Sequence, residues 1–201
     1  MTALDRIHTQ ILWNRLLAVV EEQAQTLVRT AFSTTVREAG DLSAGVFDTR
    51  GRMLTQAITG TPGHVNAMAA SVGFFLQKFP LQTLQPGDVL LTNDPWFGTG
   101  HLNDFTVITP VFREERAVAL FAATSHIADV GGLGFGPDGR QVFEEGLNIP
   151  MGYLYRRGEI NQVLLEILRA NVRDPRAAEG DLHSLTACNQ AGAGSLLATM
   201  D

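Results

Sequence analysis

The sequence predicts an α+β fold in which long helices pack on a largely antiparallel sheet. Three observations carry this expectation. Apolar residues recur at intervals of three and four over residues 4–37, and helical patterns return at 64–79, 159–172 and from 181 onward. Two pairs of strand-like runs, 42–47 with 52–56 and 105–112 with 118–124, are each joined by a short polar turn, as antiparallel hairpins are. A short apolar run at 89–91 between turn signals reads as a further buried strand.

In chain order, the first helix carries an apolar stripe through Ile7, Ile11, Leu16, Val20, Ala24, Leu27 and Ala31, long enough to need a sheet or a partner against it. Gly40 ends it, and Asp41 stands at the mouth of the hairpin that turns at Asp48-Thr49-Arg50-Gly51. Thr61, Pro62 and Gly63 open the second helix, with Pro80 beyond its end. Gln85-Pro86-Gly87-Asp88 is a turn signal, and the strand after it stops at Asn93-Asp94-Pro95. The charged run Arg113-Glu114-Glu115-Arg116 suits an exposed hairpin turn, and the glycine-rich loop HIADVGGLGFGPDG follows Thr124. The last helix reaches Met200-Asp201 with neither a capping glycine nor a proline stop, so residues 1–201 read as a portion cut from a longer chain.

Composition narrows the function. The 201 residues carry 15 Lys and Arg against 21 Asp and Glu, and 45% are apolar, enough for a core without disulfides. A single cysteine, Cys188, excludes an internal disulfide and a cysteine-based zinc site, and suits a reducing cytoplasm. No long apolar run exists, and the N-terminal segment is interrupted by Asp5, Arg6 and His8, so neither a signal peptide nor a membrane span is expected. Lys78 is the only lysine, and no phosphate-binding G-x-x-x-x-G-K-[ST] loop is present, so ATP is expected to bind elsewhere than on this chain. The acidic balance and scattered arginines argue against nucleic acid.

Chemistry concentrates at two H-x-x-D units. His101 and Asp104 stand three apart in GTGHLND, and His126 and Asp129 stand three apart in HIADVGG. One unit precedes the strand at 105 and the other follows the strand at 118, so a hairpin sets them side by side. Two imidazoles with one or two carboxylates suit zinc, manganese or ferrous iron, with a position left for water. Asp41 offers a further oxygen. A lone H-x-x-D is common by chance, and a strand-end histidine is ordinarily a hydrogen-bonding loop residue; the pairing is what favours a metal. His64 fits a site or simply a first helical turn, and the helical role is the simpler; Asp94 fits an Asx turn at the strand end. Glycines 131, 132, 134 and 136 read as positive-φ and close-approach positions, since no helix start follows at phosphate-binding spacing. Cys188, inside a helical run, reads as core.

The succession DLSAGVFD, PGHVNAM, QPGDVLLTNDPWFGTGHLND, HIADVGG, EEGLNIP and NVRDP resembles the N-terminal part of the hydantoinase B/oxoprolinase family, in order over nearly the whole chain. The family comprises B-type subunits of ATP-dependent hydantoinases, 5-oxoprolinases and related lactamases, and similar subunits of acetone and acetophenone carboxylases. Its chains are usually much longer. The resemblance implies that an A-type subunit binds ATP and phosphorylates the substrate oxygen, while the B-type chain acts at one divalent metal, zinc or manganese, with iron also compatible. Carried over motif by motif, His101, Asp104, His126 and Asp41 are the metal ligands. Asp129 is an alternative ligand or a group orienting an imidazole, and His64 and Asp94 line the pocket. Three departures stand out. Asn103 replaces the family's proline between His101 and Asp104, which is expected to loosen that backbone, and Thr99 adds bulk beside it. Ser125 stands where the family often shows a second histidine.

The function expected is that of a metal-dependent catalytic subunit of a cytoplasmic, hetero-oligomeric cyclic-amide hydrolase, whose metal-activated water opens a ring activated by phosphorylation. The alternatives are a subunit of an ATP-dependent ketone carboxylase, or a truncated subunit that only assembles with a partner.

Overall fold

The computed structural model describes residues 2–134 and 136–200. Among them, six α-helices flank one seven-stranded sheet in the order β2 (Met53–Gln56), β1 (Leu42–Phe47), β5 (Arg116–His126), β4 (Asp104–Arg113), β3 (Val89–Thr92), β6 (Gly152–Arg156), β7 (Glu159–Ile160), with every pairing antiparallel. The α+β class is the one the sequence predicts.

Helix α1 (Ala3–Thr30) starts from a capping box in which Thr2 Oγ1 accepts from Asp5 N–H at 3.1 Å and Thr2 N–H donates to Asp5 Oδ2 at 2.7 Å. The helix stops before residue 37, contrary to expectation. The N–H groups of Phe32 and Ser33 and the Ser33 hydroxyl all donate to the buried carboxylate of Asp181, which draws the chain out of the helix; α2 (Thr34–Arg37) is a separate turn. Val19, Val20, Ala24 and Leu27 of α1 are buried, whereas Leu4, Ile7, Ile11, Leu12 and Trp13 remain exposed.

Both predicted hairpins are present. Strands β1 (Leu42–Phe47) and β2 (Met53–Gln56) turn through Gly51 at φ +76°, and β4 (Asp104–Arg113) and β5 (Arg116–His126) turn through Glu114 at φ +56°. Strand β3 (Val89–Thr92) pairs with β4 on one side and β6 (Gly152–Arg156) on the other. The helix expected from 159 is shorter. Strand β7 (Glu159–Ile160) pairs with β6, and α5 (Gln162–Asn171) begins where Asn161 Oδ1 caps Leu164 N–H at 3.1 Å. The final helix, α6 (Pro175–Met200), begins earlier than 181, on Pro175 with Asp174 capping Ala177 N–H. A short helix, α4 (Val142–Glu145), lies in what reads as loop.

Helices α1 and α6 cover one face of the sheet. On the other lies α3 (Pro62–Lys78), whose Met68, Val72 and Phe75 pack with Phe47, Leu90, Ile108, Leu120 and Ala122. Cys188 is fully buried on α6, as predicted. No helix among the described residues is long and apolar enough to cross a membrane.

Candidate metal centre

Register builds the centre. Asp104 at the start of β4 pairs with His126 at the end of β5, and Leu42 of β1 pairs with the neighbouring Ser125. Three strand ends thus meet at one end of the sheet, where the N-terminus of α3 also arrives. His126 N–H donates to the Asp41 carbonyl at 3.3 Å, which ties the residue before β1 to the end of β5.

Asp104, 1% exposed, is the hub. Its Oδ2 lies 3.0 Å from His101 Nε2 and 3.0 Å from His64 Nε2, and its Oδ1 lies 3.2 Å from His126 Nδ1. The Thr99 hydroxyl donates to the same carboxylate at 2.5 Å. Asp41, whose side chain is 33% exposed, brings Oδ1 to 3.6 Å from His64 Nε2 and Oδ2 to 4.0 Å from His126 Nδ1, and its Oδ1 accepts from the Thr61 hydroxyl at 2.8 Å. Ligand atoms of His101, Asp104 and His126 lie within 4.8 Å of one another. Borderline nitrogen donors with hard carboxylate oxygens, gathered at one open sheet end, fit a divalent cation of the zinc or manganese type.

The electrostatics follow from this crowding. Burial pushes the Asp104 carboxyl up, but hydrogen bonds from His101, His126, His64 and Thr99 outweigh it and hold the group far below the usual carboxylate range. Burial pushes His64 down, yet the hydrogen bond to Asp104 and the charges of Asp104 and Asp41 raise it above the ordinary value. The hydrogen bond to Asp104 raises His101 as well, against burial. Without a cation, nitrogens of three imidazoles converge on a carboxylate that keeps its charge.

Of the residues singled out from the sequence, His101, Asp104, His126 and Asp41 converge as expected. His64, for which a plain helical role is the simpler reading, points into the cluster. Asp129 does not join it by this geometry. Its carboxylate is taken up by the N–H groups of Gly131, Arg173 and Asp174 and by the Arg173 guanidinium at 2.8 Å, so it fastens the glycine loop to the segment before α6. Asp94 closes an Asx turn, its Oδ1 accepting from Trp96 N–H at 3.0 Å. Asn103 does not loosen the backbone. Its amide donates to the Ile127 carbonyl at 2.9 Å while its own carbonyl accepts from Ile127 N–H at 2.8 Å, binding the two H-x-x-D segments together. Thr99, read as bulk, is a donor to Asp104.

Two contributors carry no spacing signal. Buried Asn93 staples the turn, donating to the carbonyls of Leu102 and Leu147 and accepting from Ile149 N–H. Glu145 Oε2 accepts from Leu102 N–H at 3.1 Å. In the glycine loop, Gly131, Gly132 and Gly134 adopt positive φ, as expected, whereas Gly136 does not. A Cβ at Gly132 would stand 2.4 Å from the Glu144 carbonyl oxygen, so the loop presses directly on α4. Phe135 of this loop, like Asp201 at the chain end, lies outside the described residues.

Residues 5–201 match the profile of the Hydantoinase B/oxoprolinase family. The chain belongs to that family. This hydantoinase B/oxoprolinase chain is 30% identical over 200 residues to an uncharacterized protein of Methanocaldococcus jannaschii, covering 96% of this chain and 35% of that one. It is 35% identical over 157 residues to 5-oxoprolinase 1 of Arabidopsis thaliana, covering 77% of this chain and 12% of the plant protein. The ATP-dependent caprolactamase from Pseudomonas jessenii shares the fold at a TM-score of 0.86 and 25% identity, with all of this chain matched to 35% of that structure. The chain therefore spans about a third or less of the proteins it resembles.

Proposed function

We propose that this chain carries the metal centre of a B-type subunit in an ATP-dependent cyclic-amide hydrolase of the hydantoinase or oxoprolinase kind. The observation that carries the reading is the convergence of His101, Asp104 and His126, with ligand atoms within 4.8 Å, beside Asp41 and His64 at an open sheet end. Family membership and relatives named 5-oxoprolinase and caprolactamase support the reaction class.

His101, Asp104, His126 and Asp41 hold one divalent cation, zinc or manganese, with iron compatible. Such a cation would supply Lewis-acid chemistry at the activated ring and would lower the pKa of nearby water. The residues of the chain do the rest. Among the described residues His64 Nδ1 has no hydrogen-bond partner, whereas Nε2 lies 3.0 Å from Asp104 Oδ2, so the Nε2–H tautomer donates to that carboxylate and fixes its plane. Asp41 and His101 are the ligands whose side chains reach solvent, at 33% and 36% exposed. Asp94 and Asp129 serve through the backbone, shaping the loops on either side. The chain lacks a phosphate-binding lysine loop, so ATP binds to an A-type partner, which phosphorylates the amide oxygen before the ring opens here and phosphate leaves.

Elemental analysis of the chelator-washed chain, reloaded with zinc or manganese, tests the centre. About one metal per chain is expected in the parent, and none in His101→Ala or His126→Ala. A parent that takes up no metal, or variants that hydrolyse cyclic amides normally with the ATP-binding partner, overturns the reading.

A further inference from the structure

The peptide that joins His101 to Leu102 is held from outside its own turn. On one side its carbonyl accepts from Asp104 N–H at 3.4 Å, a long bond within the H-x-x-D unit. On the other its N–H, which belongs to fully buried Leu102, finds one acceptor among the described residues, Glu145 Oε2 at 3.1 Å. A buried N–H is costly to leave unpaired, so this carboxylate fixes the tilt of the peptide plane. That plane begins at the Cα of His101, and its tilt sets where the imidazole points.

Glu145 is itself held on both sides. Leu133 N–H donates to the Glu144 carbonyl at 2.9 Å, and Leu147 N–H donates to the Val130 carbonyl at 2.8 Å. Between them Gly146, at φ +142°, leaves no space, since a Cβ there would stand 2.3 Å from the Val130 carbonyl oxygen. Helix α4 is thereby clamped to the loop that follows His126, and Glu145 reaches from that loop to the peptide after His101. His101 needs this hold most. Its side chain is 36% exposed, whereas those of Asp104 and His126, at 1% and 4%, are fixed by the packing around them.

We propose that Glu145 is a positioning residue of the metal centre, which aims the His101 imidazole through the Leu102 N–H without being a ligand itself. Glu145 is not among the side chains whose ligand atoms gather at the centre. This rests on the proposed metal centre and extends it to a residue outside both H-x-x-D units. The acceptor oxygen, not the charge, does the positioning, so an amide at residue 145 serves and an apolar side chain does not.

Zinc affinity of the whole chain, measured by competition with a chelator, tests this together with the visible absorption of the cobalt(II) form, which reports how the ligands are arranged. Glu145→Ala is expected to weaken zinc about tenfold to hundredfold and to change the cobalt bands, while Glu145→Gln stays within about threefold of the parent with its bands unchanged. Glu145→Leu fills the same space without an acceptor and repeats the test if alanine fails to fold. Gly192→Ala, whose added methyl meets the Phe121 ring, controls for a general loss of stability and should leave both readings at the parent level. Parent-like affinity in Glu145→Ala or Glu145→Leu overturns the inference. So does a Glu145→Gln as weak as alanine, which assigns the effect to charge, or an equal loss in Gly192→Ala, which assigns it to stability. A parent that takes up no zinc overturns the metal centre itself and is told apart from these outcomes by the parent alone.

Discussion

His64 Nε2 lies 3.0 Å from Asp104 Oδ2, the same oxygen that meets His101 Nε2. A helix N-terminus on one side of the sheet thereby grips a carboxylate that belongs to a strand end. Asp104 gathers three imidazoles, one from a helix, one from a loop and one from a strand, so it sets where each ligand nitrogen points.

Asp104→Asn is therefore expected to abolish metal binding, because the hub carboxylate is lost. His64→Ala is expected to weaken it only about tenfold to hundredfold, as removal of a partner that orients a ligand does. Competition with a chelator of known affinity separates the two. Equal losses in both variants would place His64 among the ligands themselves.

Stability should depend on pH in opposite ways with and without metal. In the metal-free chain the raised pKa values of His64 and His101 give a contribution that is complete below their ordinary 6.5 and is lost as pH rises through the folded values. The depressed Asp104 contributes above its ordinary 3.8 and loses that contribution as pH falls through its much lower folded value. Thermal melts in chelator should thus decline as pH rises above about 6.5, while the loaded chain holds or gains over the same rise because deprotonated imidazoles bind the cation. A metal-free chain whose melting point rises across that interval would contradict the geometry.

Two glycines on α6, two residues apart, should respond with opposite sign. A Cβ at Gly192 would lie 2.6 Å from the ring of fully buried Phe121, whereas a Cβ at Gly194 meets nothing within 4 Å. Alanine gains about 1 kcal/mol of helix propensity at either site. At Gly192 overpacking of about 1–3 kcal/mol outweighs that gain, so Gly192→Ala should melt a few degrees lower and Gly194→Ala slightly higher. Differential scanning calorimetry of the pair decides it.

Asp129→Ala should leave metal content at the parent level. The Arg173 guanidinium and three backbone N–H groups lose their acceptor, so the loop after β5 should become more sensitive to limited proteolysis. Loss of the metal in this variant would return Asp129 to the ligand shell.

Periodicity and turn chemistry in the sequence were sufficient for the α+β class, both hairpins, α3 and the pairing of the two H-x-x-D units, because these depend on local patterns and on a hairpin register that a four-residue turn dictates. Asp41 was legible from its place at a hairpin mouth. Tertiary structure alone decided the remainder. Asp181, distant in sequence, ends α1 by accepting from Phe32 and Ser33, and no local propensity encodes that bond. The turn of His64 toward Asp104 depends on how α3 lies across the sheet, and the commitment of Asp129 to Arg173 on how the glycine loop meets the segment before α6. Spacing places residues along one element; which side chains share a charge is settled where separate elements pack, and there burial makes every unpaired polar group expensive enough to choose its partner.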